Sequence, residues 1–282
     1  MPASHLNLFN DTAGFVRDYP FALLTDATVN GNNEPPINAY GPANFLAARA
    51  QIRRWEGGAP AVPDWFTVDP TPVQYRWGPT VVQLKASINS VVARPAVAVP
   101  DLAKRAFTLP WATTAITKVV LSDAGNFFFT APLTGCTVFI DENPAGGPHV
   151  YHANAGSIPN AHKDAFMQGA FLDWSGQAHN APNVRSFVSR PLLSIDVHSV
   201  LPIAGAIEAR KTGQGRQNVE WLTIGANVMG VRTGPGAWTF YQQVAGLFEY
   251  DRPTLLSRLR LGPPTHIFNK HEQLEVVSTA VV

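Results

Sequence analysis

A long hydrophobic run, a cluster of basic residues, a cleavable leader pattern and a second cysteine are all missing from this 282-residue chain. No stretch of about 18 apolar residues occurs, which excludes a membrane-spanning helix. The formal net charge is +1, and no Lys/Arg cluster interrupts the sequence. Nucleic acid and anionic membrane surfaces are therefore poor partners. The start, Met1-Pro2-Ala3-Ser4-His5-Leu6-Asn7, has neither a basic n-region nor an apolar h-region, so no classical signal peptide is expected. The lone Cys136 cannot form an internal disulfide, which fits a reducing compartment or export without a cleaved signal. Charged residues are scarce at 15%, whereas hydrophobic residues reach 45%, a balance that builds a core rather than a disordered chain.

Proline (24) and glycine (22) are abundant beside 16 phenylalanines and 7 tryptophans, which favours short strands joined by tight turns. The first forty residues are turn-rich. Pro42 to Glu56 reads as a helix, with Phe45, Ala48, Ile52 and Trp55 on one face and Gly57-Gly58 as its stop. Prolines keep 93–100 extended, which puts a boundary near residue 100. Strands are expected at 80–84, 117–121, 126–131, 136–140, 149–154, 186–189, 192–198, 219–224, 226–232 and 237–245. One helix is expected near 160–173, capped by Asn160, with Phe166, Met167, Ala170, Phe171 and Trp174 as its apolar stripe. A last helix is expected from Pro253 to Leu261. The predicted fold is α+β, mainly an antiparallel β-sandwich with helices packed outside. The predicted division is an N-terminal extension (1–100), a main domain (101–262) and a C-terminal tail (263–282).

Cys136 follows Gly135 at the start of an expected strand, and His152 lies on the next one. A thiol beside an imidazole is the minimum apparatus for nucleophilic acyl transfer. If the intervening hairpin turns near Pro144, Cys136 opposes His152, about 5 Å apart at Cβ. His149 then faces the other way, because strand side chains alternate. The imidazole would lower the thiol pKa toward the thiolate. Backbone N–H groups around Gly135-Cys136 would hold the oxyanion, and glycine allows close approach of the substrate. Asn154, or a carbonyl near Thr130, would orient the imidazole.

Three stretches carry a resemblance: Leu109-Pro110-Trp111, Asn126 to Phe139 with its Phe128-Phe129-Thr130 and Leu133-Thr134-Gly135-Cys136, and Pro148-His149-Val150-Tyr151-His152. Together they resemble the glutamine deamidase toxins, the family of the Burkholderia lethal factor and the cytotoxic necrotising factor catalytic domain. Weaker similarity continues through Asp164–Trp174, Val228–Gly234 and Thr239–Gln242, so that 107–250 is covered. The loop between Cys136 and His152 is longer here than in the lethal factor. The resemblance implies Cys136 as nucleophile, His152 as acid/base and the Thr130 backbone oxygen as acceptor from the imidazole. It places Gly135, Thr134 and Leu133 along the approach to the thiol. The implied activity is conversion of a glutamine carboxamide of a host protein to glutamate with release of ammonia, without a cofactor. The implied substrate is a regulatory protein such as a Rho-type GTPase or a translation-initiation helicase. The implied setting is a monomeric secreted effector acting in the host cytoplasm.

Other signals carry less. His149 and His152 face opposite ways, which argues against a zinc site with Cys136. Asp196 and His198 lack a partner nucleophile. Gly213 to Asn218 lacks the last glycine of a dinucleotide loop and reads as a turn. Asp141 and Glu142 are adjacent and point apart. The competing reading is a non-catalytic binding or structural β-sandwich, with Cys136 and His152 as core residues.

Overall fold

The computed structural model describes residues 11–18, 21–23, 53–56, 64–69, 82–86, 104–109, 114–130, 133, 135–156, 158–188, 202–254, 259, 261 and 268–281. The protein is α+β. Five strands make the smaller sheet, in the order β10 (Val184–Val188), β8 (Thr137–Asp141), β9 (His149–Asn154), β6 (Ala115–Val120), β2 (Arg53–Glu56). Eight make the larger one, in the order β1 (Phe21–Leu23), β4 (Val82–Ala86), β3 (Asp64–Asp69), β5 (Lys104–Leu109), β7 (Phe127–Thr130), β11 (Gln217–Gly234), β12 (Ala237–Pro253), β13 (Phe268–Val281). Most pairings are antiparallel; β1–β4, β5–β7 and β2–β6 are parallel.

Alternation of side chains along these strands makes a sandwich. Val119, Val138, Ile140, Val150 and Phe187 of the smaller sheet share one buried cluster with Phe107, Leu109, Phe128, Val228 and Phe240 of the larger. Each such side chain, fully removed from water, contributes about 1.5–3 kcal/mol. The alternate residues of the smaller sheet, Ile116, Phe139, Tyr151 and Ala153, face a helix, α2 (Asn160–Ser175). Its sequence lacks β-branched residues, and its Phe166, Met167, Ala170 and Phe171 are buried against that sheet face. Phe171 stacks on Phe139 with ring centroids 4.5 Å apart and meets Tyr151 edge-on at 5.1 Å. Before it in the chain comes α1 (Thr12–Asp18), whose Val16 carbonyl accepts a 2.6 Å hydrogen bond from the buried Gln243 side chain of β12. The third helix, α3 (Pro202–Gly213), covers the far part of the β11–β12 hairpin: Ile207 packs with Trp221, Phe248 and Tyr250, and Trp221 donates to Glu208 at 2.7 Å. No helix among the described residues is long and apolar enough to cross a membrane.

Several expectations change. Arg53–Glu56, expected at the end of a helix, forms β2 and runs parallel to β6; ladder pairing overrides a helical spacing of apolar residues there. Residues 42–52 lie outside the described residues, as does the expected strand at 192–198 with Asp196 and His198. The strands expected at 219–224 and 226–232 are one strand, β11, which absorbs the break as a register shift at Trp221–Thr223. The strand expected at 237–245 extends as β12 to Pro253, where a helix was expected to begin, and 255–258 lie outside the described residues. Most of the expected tail at 263–282 is β13, paired with β12 from Phe268 to Val281. Strands from the first hundred residues enter both sheets. The residue before α2 is Pro159, and no side-chain cap closes that end, so Asn160 is the first helical residue rather than the cap.

Candidate active site

The chain changes sheets between Thr130 and Thr137. β7 ends in the larger sheet at Thr130, and β8 begins in the smaller one at Thr137. Leu133 stays with the larger sheet: its N–H donates to the Ala226 carbonyl at 2.7 Å, and its carbonyl accepts from the Ala226 N–H at 2.9 Å. Gly135 then takes φ +107°, a conformation that side-chain-bearing residues avoid, and the chain enters β8. Cys136 is the first residue beyond this bend. Its side chain turns between the sheets, packed in the cluster of Leu133, Val138, Val228 and Phe240, and is 6% exposed. Thr134 lies outside the described residues.

His152 enters the same layer from β9. Val150 points into the interior cluster and Tyr151 and Ala153 point to α2, so the parity of the strand sends His152 inward with Cys136. The register differs from the expected one. Val138 opposes His152 and Thr137 opposes Ala153, which centres the hairpin on Ala145 rather than Pro144. The turn is made by Pro144 to Gly147, with Gly146 and Gly147 both at positive φ and the Gly147 N–H facing the Pro144 carbonyl at 3.4 Å. A shift of two residues preserves the faces. Cys136 and His152 therefore sit on one face, on a diagonal of the ladder where neighbours lie about 7–8 Å apart. His149 faces the opposite way, across from Asp141.

The imidazole is 1% exposed, and neither ring nitrogen has a hydrogen-bond partner among the described residues. Burial without compensation disfavours its charged form and lowers its pKa from 6.5 to about 3. The resting imidazole is thus neutral at physiological pH. The expected imidazole-stabilised thiolate is correspondingly disfavoured at rest, because separating charge in this layer costs too much.

Neither expected orienting group bonds the imidazole. The Thr130 hydroxyl accepts the Val228 N–H at 3.0 Å, and its backbone carbonyl makes no hydrogen bond to the imidazole. The Asn154 side chain accepts the Gly156 N–H at 2.7 Å in a local turn. The polar side chain that does flank the imidazole is Thr117 of β6, directly opposite His152 in the β6–β9 ladder and completely buried. Its hydroxyl donates to the His152 carbonyl at 3.5 Å. Sequence reasoning missed it because it paired His152 only with the strand before it. A threonine on the same strand face as Ala115 and Val119 was the available signal.

The acids set aside in the sequence do diverge: Asp141 accepts from the Asn143 N–H and the Asn183 side chain, whereas Glu142 pairs with Arg185. Among the described residues no group of three or more His, Cys, Asp or Glu side chains is gathered to hold a metal. Comparison with known protein families and with curated proteins finds no match for this chain.

Proposed function

We propose that this protein is a cysteine-dependent glutamine deamidase acting on a host regulatory protein. The reading rests on the resemblance at 109–152, and one structural observation carries it further. Cys136 and a buried imidazole whose nitrogens have no partner among the described residues share an interior face at a glycine bend. An unpaired buried polar group costs about 1–3 kcal/mol, so a fold retains one where it has a use.

In the proposed reaction the neutral His152 takes the thiol proton as Sγ attacks the carboxamide carbon. Coupling the two events avoids a free thiolate in an apolar layer. Backbone N–H groups near Gly135 hold the oxyanion of the tetrahedral intermediate. The imidazolium returns its proton to the departing nitrogen, the C–N bond breaks, and ammonia leaves behind a thioester. His152 then deprotonates a water that attacks the thioester, giving glutamate and the free thiol. A Rho-type GTPase or a translation-initiation helicase is the proposed class of substrate, met by a monomeric secreted effector in the host cytoplasm.

The burial of Cys136 and His152 favours a second reading, in which both are core residues of a non-catalytic sandwich. One experiment separates the two. Wild-type protein and Cys136→Ser are incubated with a eukaryotic lysate, and protein glutamines are followed by mass spectrometry. A gain of about one dalton at a site converted only by the wild type supports the amide-to-acid reaction. No conversion, together with a native Cys136 inert to iodoacetamide, supports the core reading.

A further inference from the structure

The last ladder pair of β8 and β9 is Thr137 with Ala153, and β9 ends one residue later at Asn154. The same register carried one step further sets Asn154 opposite Cys136, where directly opposed residues stand about 4.5–5.5 Å apart at Cβ. Parity puts Asn154 on the face of Val150 and His152, the face on which Cys136 packs. His152 lies there 1% exposed, with no partner for either ring nitrogen among the described residues. On its other side, in the β6–β9 ladder, Asn154 meets Ala115, whose methyl group offers no hydrogen bond. We propose that Asn154 is a catalytic residue: its Nδ2–H donates to the carboxamide oxygen of the substrate glutamine and holds the oxyanion formed when Sγ attacks. This rests on the deamidase reading and adds a side-chain donor to the backbone N–H groups near Gly135.

The hydrogen bonding of Asn154 leaves the donor half of its carboxamide for this task. The Gly156 N–H can only donate, so the atom it meets at 2.7 Å is the Asn154 oxygen, and the other prong is the NH2 group. That bond holds the side chain in its turn, while Nδ2 makes no hydrogen bond to a described residue. Both outer members of the row follow a residue at positive φ: Gly135 at +107° before Cys136, and Thr114 at +46° before Ala115. A β-branched residue avoids that region, and such conformations gather at functional sites. Depth then orders the groups. Asn154 is partly exposed at the strand end, Cys136 is 6% exposed and His152 lies deepest. A glutamine side chain entering from this end meets the amide donor, then the thiol, then the base. As Sγ bonds the carboxamide carbon, the electron pair of the C=O π bond moves onto oxygen. Asn154 donates a hydrogen bond to that oxygen and gives up no proton, so proton transfer stays with His152. A hydrogen bond to the charged oxygen is stronger than one to the neutral carbonyl, which favours the intermediate over the bound amide.

The experiment compares two small reagents at Cys136, each followed by peptide mass spectrometry. Iodoacetamide reacts at a saturated carbon without an oxyanion; p-nitrophenyl acetate acylates the thiol through one. The ratio of the two rates cancels any change in thiolate supply. Asn154→Asp keeps an oxygen for the Gly156 N–H and replaces the amide nitrogen with an oxygen that only accepts. Asn154→Ser keeps a shorter turn acceptor without adding charge; the isosteric Asp variant decides if serine fails to hold the turn. Both are expected to lower the acylation-to-alkylation ratio about tenfold to a hundredfold, the worth of one hydrogen bond to a charged group, with cooperative unfolding retained. A ratio unchanged in the folded variants would overturn the role of Asn154 and leave the deamidase reading standing. A wild-type thiol that is alkylated but never acylated would overturn that role too. A Cys136 unreactive to both reagents in folded wild-type protein would overturn the deamidase reading itself, and Asn154 with it.

Discussion

His152 opposes Val138 in the β8–β9 ladder, which leaves Cys136 one diagonal step away on the same interior face. At such a separation thiol and imidazole do not form a tight resting ion pair. The proposed reaction requires a substrate or a small shift of the strand end to bring them together. Cys136→Ser keeps the shape of the side chain and removes its nucleophilicity. We expect it to abolish glutamine conversion while moving the urea unfolding free energy by no more than about 1–2 kcal/mol. Unchanged conversion by this variant would remove Cys136 from the chemistry.

His152 should trade stability for function. Its two ring nitrogens are buried and unpartnered among the described residues, so an apolar side chain of similar volume relieves a desolvation cost. His152→Leu is expected to be inactive yet as stable as the wild type or more stable, by about 1 kcal/mol. A marked loss of stability on equilibrium unfolding would instead make His152 a structural element of the core.

The same burial gives a pH dependence with a definite sign. The folded imidazole titrates near 3, whereas the unfolded one titrates at 6.5. Between those values the unfolded chain binds a proton that the native protein does not, so stability falls as pH falls. The contribution is fully present above 6.5, declines by up to about 1.4 kcal/mol per pH unit below it, and levels off near 3. Urea unfolding at pH 7.5, 5.5 and 4.5 should show wild type losing stability faster than His152→Leu. Parallel profiles for the two proteins would mean that His152 is hydrated or paired in solution.

The core of the site was legible because it depends on parity. Alternation alone sends Cys136 and His152 to one face and His149 to the other, and a two-residue change in register leaves that intact. The helical stripe Phe166, Met167, Ala170 and Phe171 was legible for a similar reason, since a period near 3.6 identifies a buried face without reference to its partner. What escaped were non-local pairings. Nothing in Arg53-Arg54-Trp55-Glu56 announces a parallel partner 62 positions further on, at Ala115–Lys118. β13 is an edge strand whose stretch Asn269 to Glu275 is polar except for Leu274, a pattern that reads equally well as a solvated tail. The place of Thr117 opposite His152 escaped because it is set by the strand beside it rather than by its own neighbours in sequence.

The hairpin turn that sets the register makes its own prediction. Gly147 has φ +126°, and a Cβ there would collide with the Leu121 carbonyl, part of the backbone that cannot move aside like a flexible side chain. The adjacent Pro148 carbonyl accepts the Leu121 N–H at 2.9 Å, which ties the hairpin to the end of β6. Gly147→Ala is expected to cost about 1–3 kcal/mol and to loosen the β8–β9 register. Hydrogen exchange at Val138, Ile140 and Val150 should accelerate; unchanged exchange and stability would show that the turn does not govern the ladder.

Gly135 is the corresponding test at the other end of β8. Its φ of +107° lets the chain leave the Leu133–Ala226 bridge of the larger sheet and deliver Cys136 into the interior within two residues. An alanine can reach neither that conformation nor the left-handed helical region cheaply, so Gly135→Ala costs about 1–3 kcal/mol or forces a different path. Either outcome displaces the thiol from the His152 diagonal. The variant should therefore retain the sandwich, seen as cooperative unfolding, while losing glutamine conversion and changing the Cys136 alkylation rate. The second reading of the protein expects something else: a comparable loss of stability with no function to lose and a thiol as inert as before. Measuring stability, conversion and alkylation together on this one substitution thus distinguishes a bend kept for catalysis from a bend kept for packing.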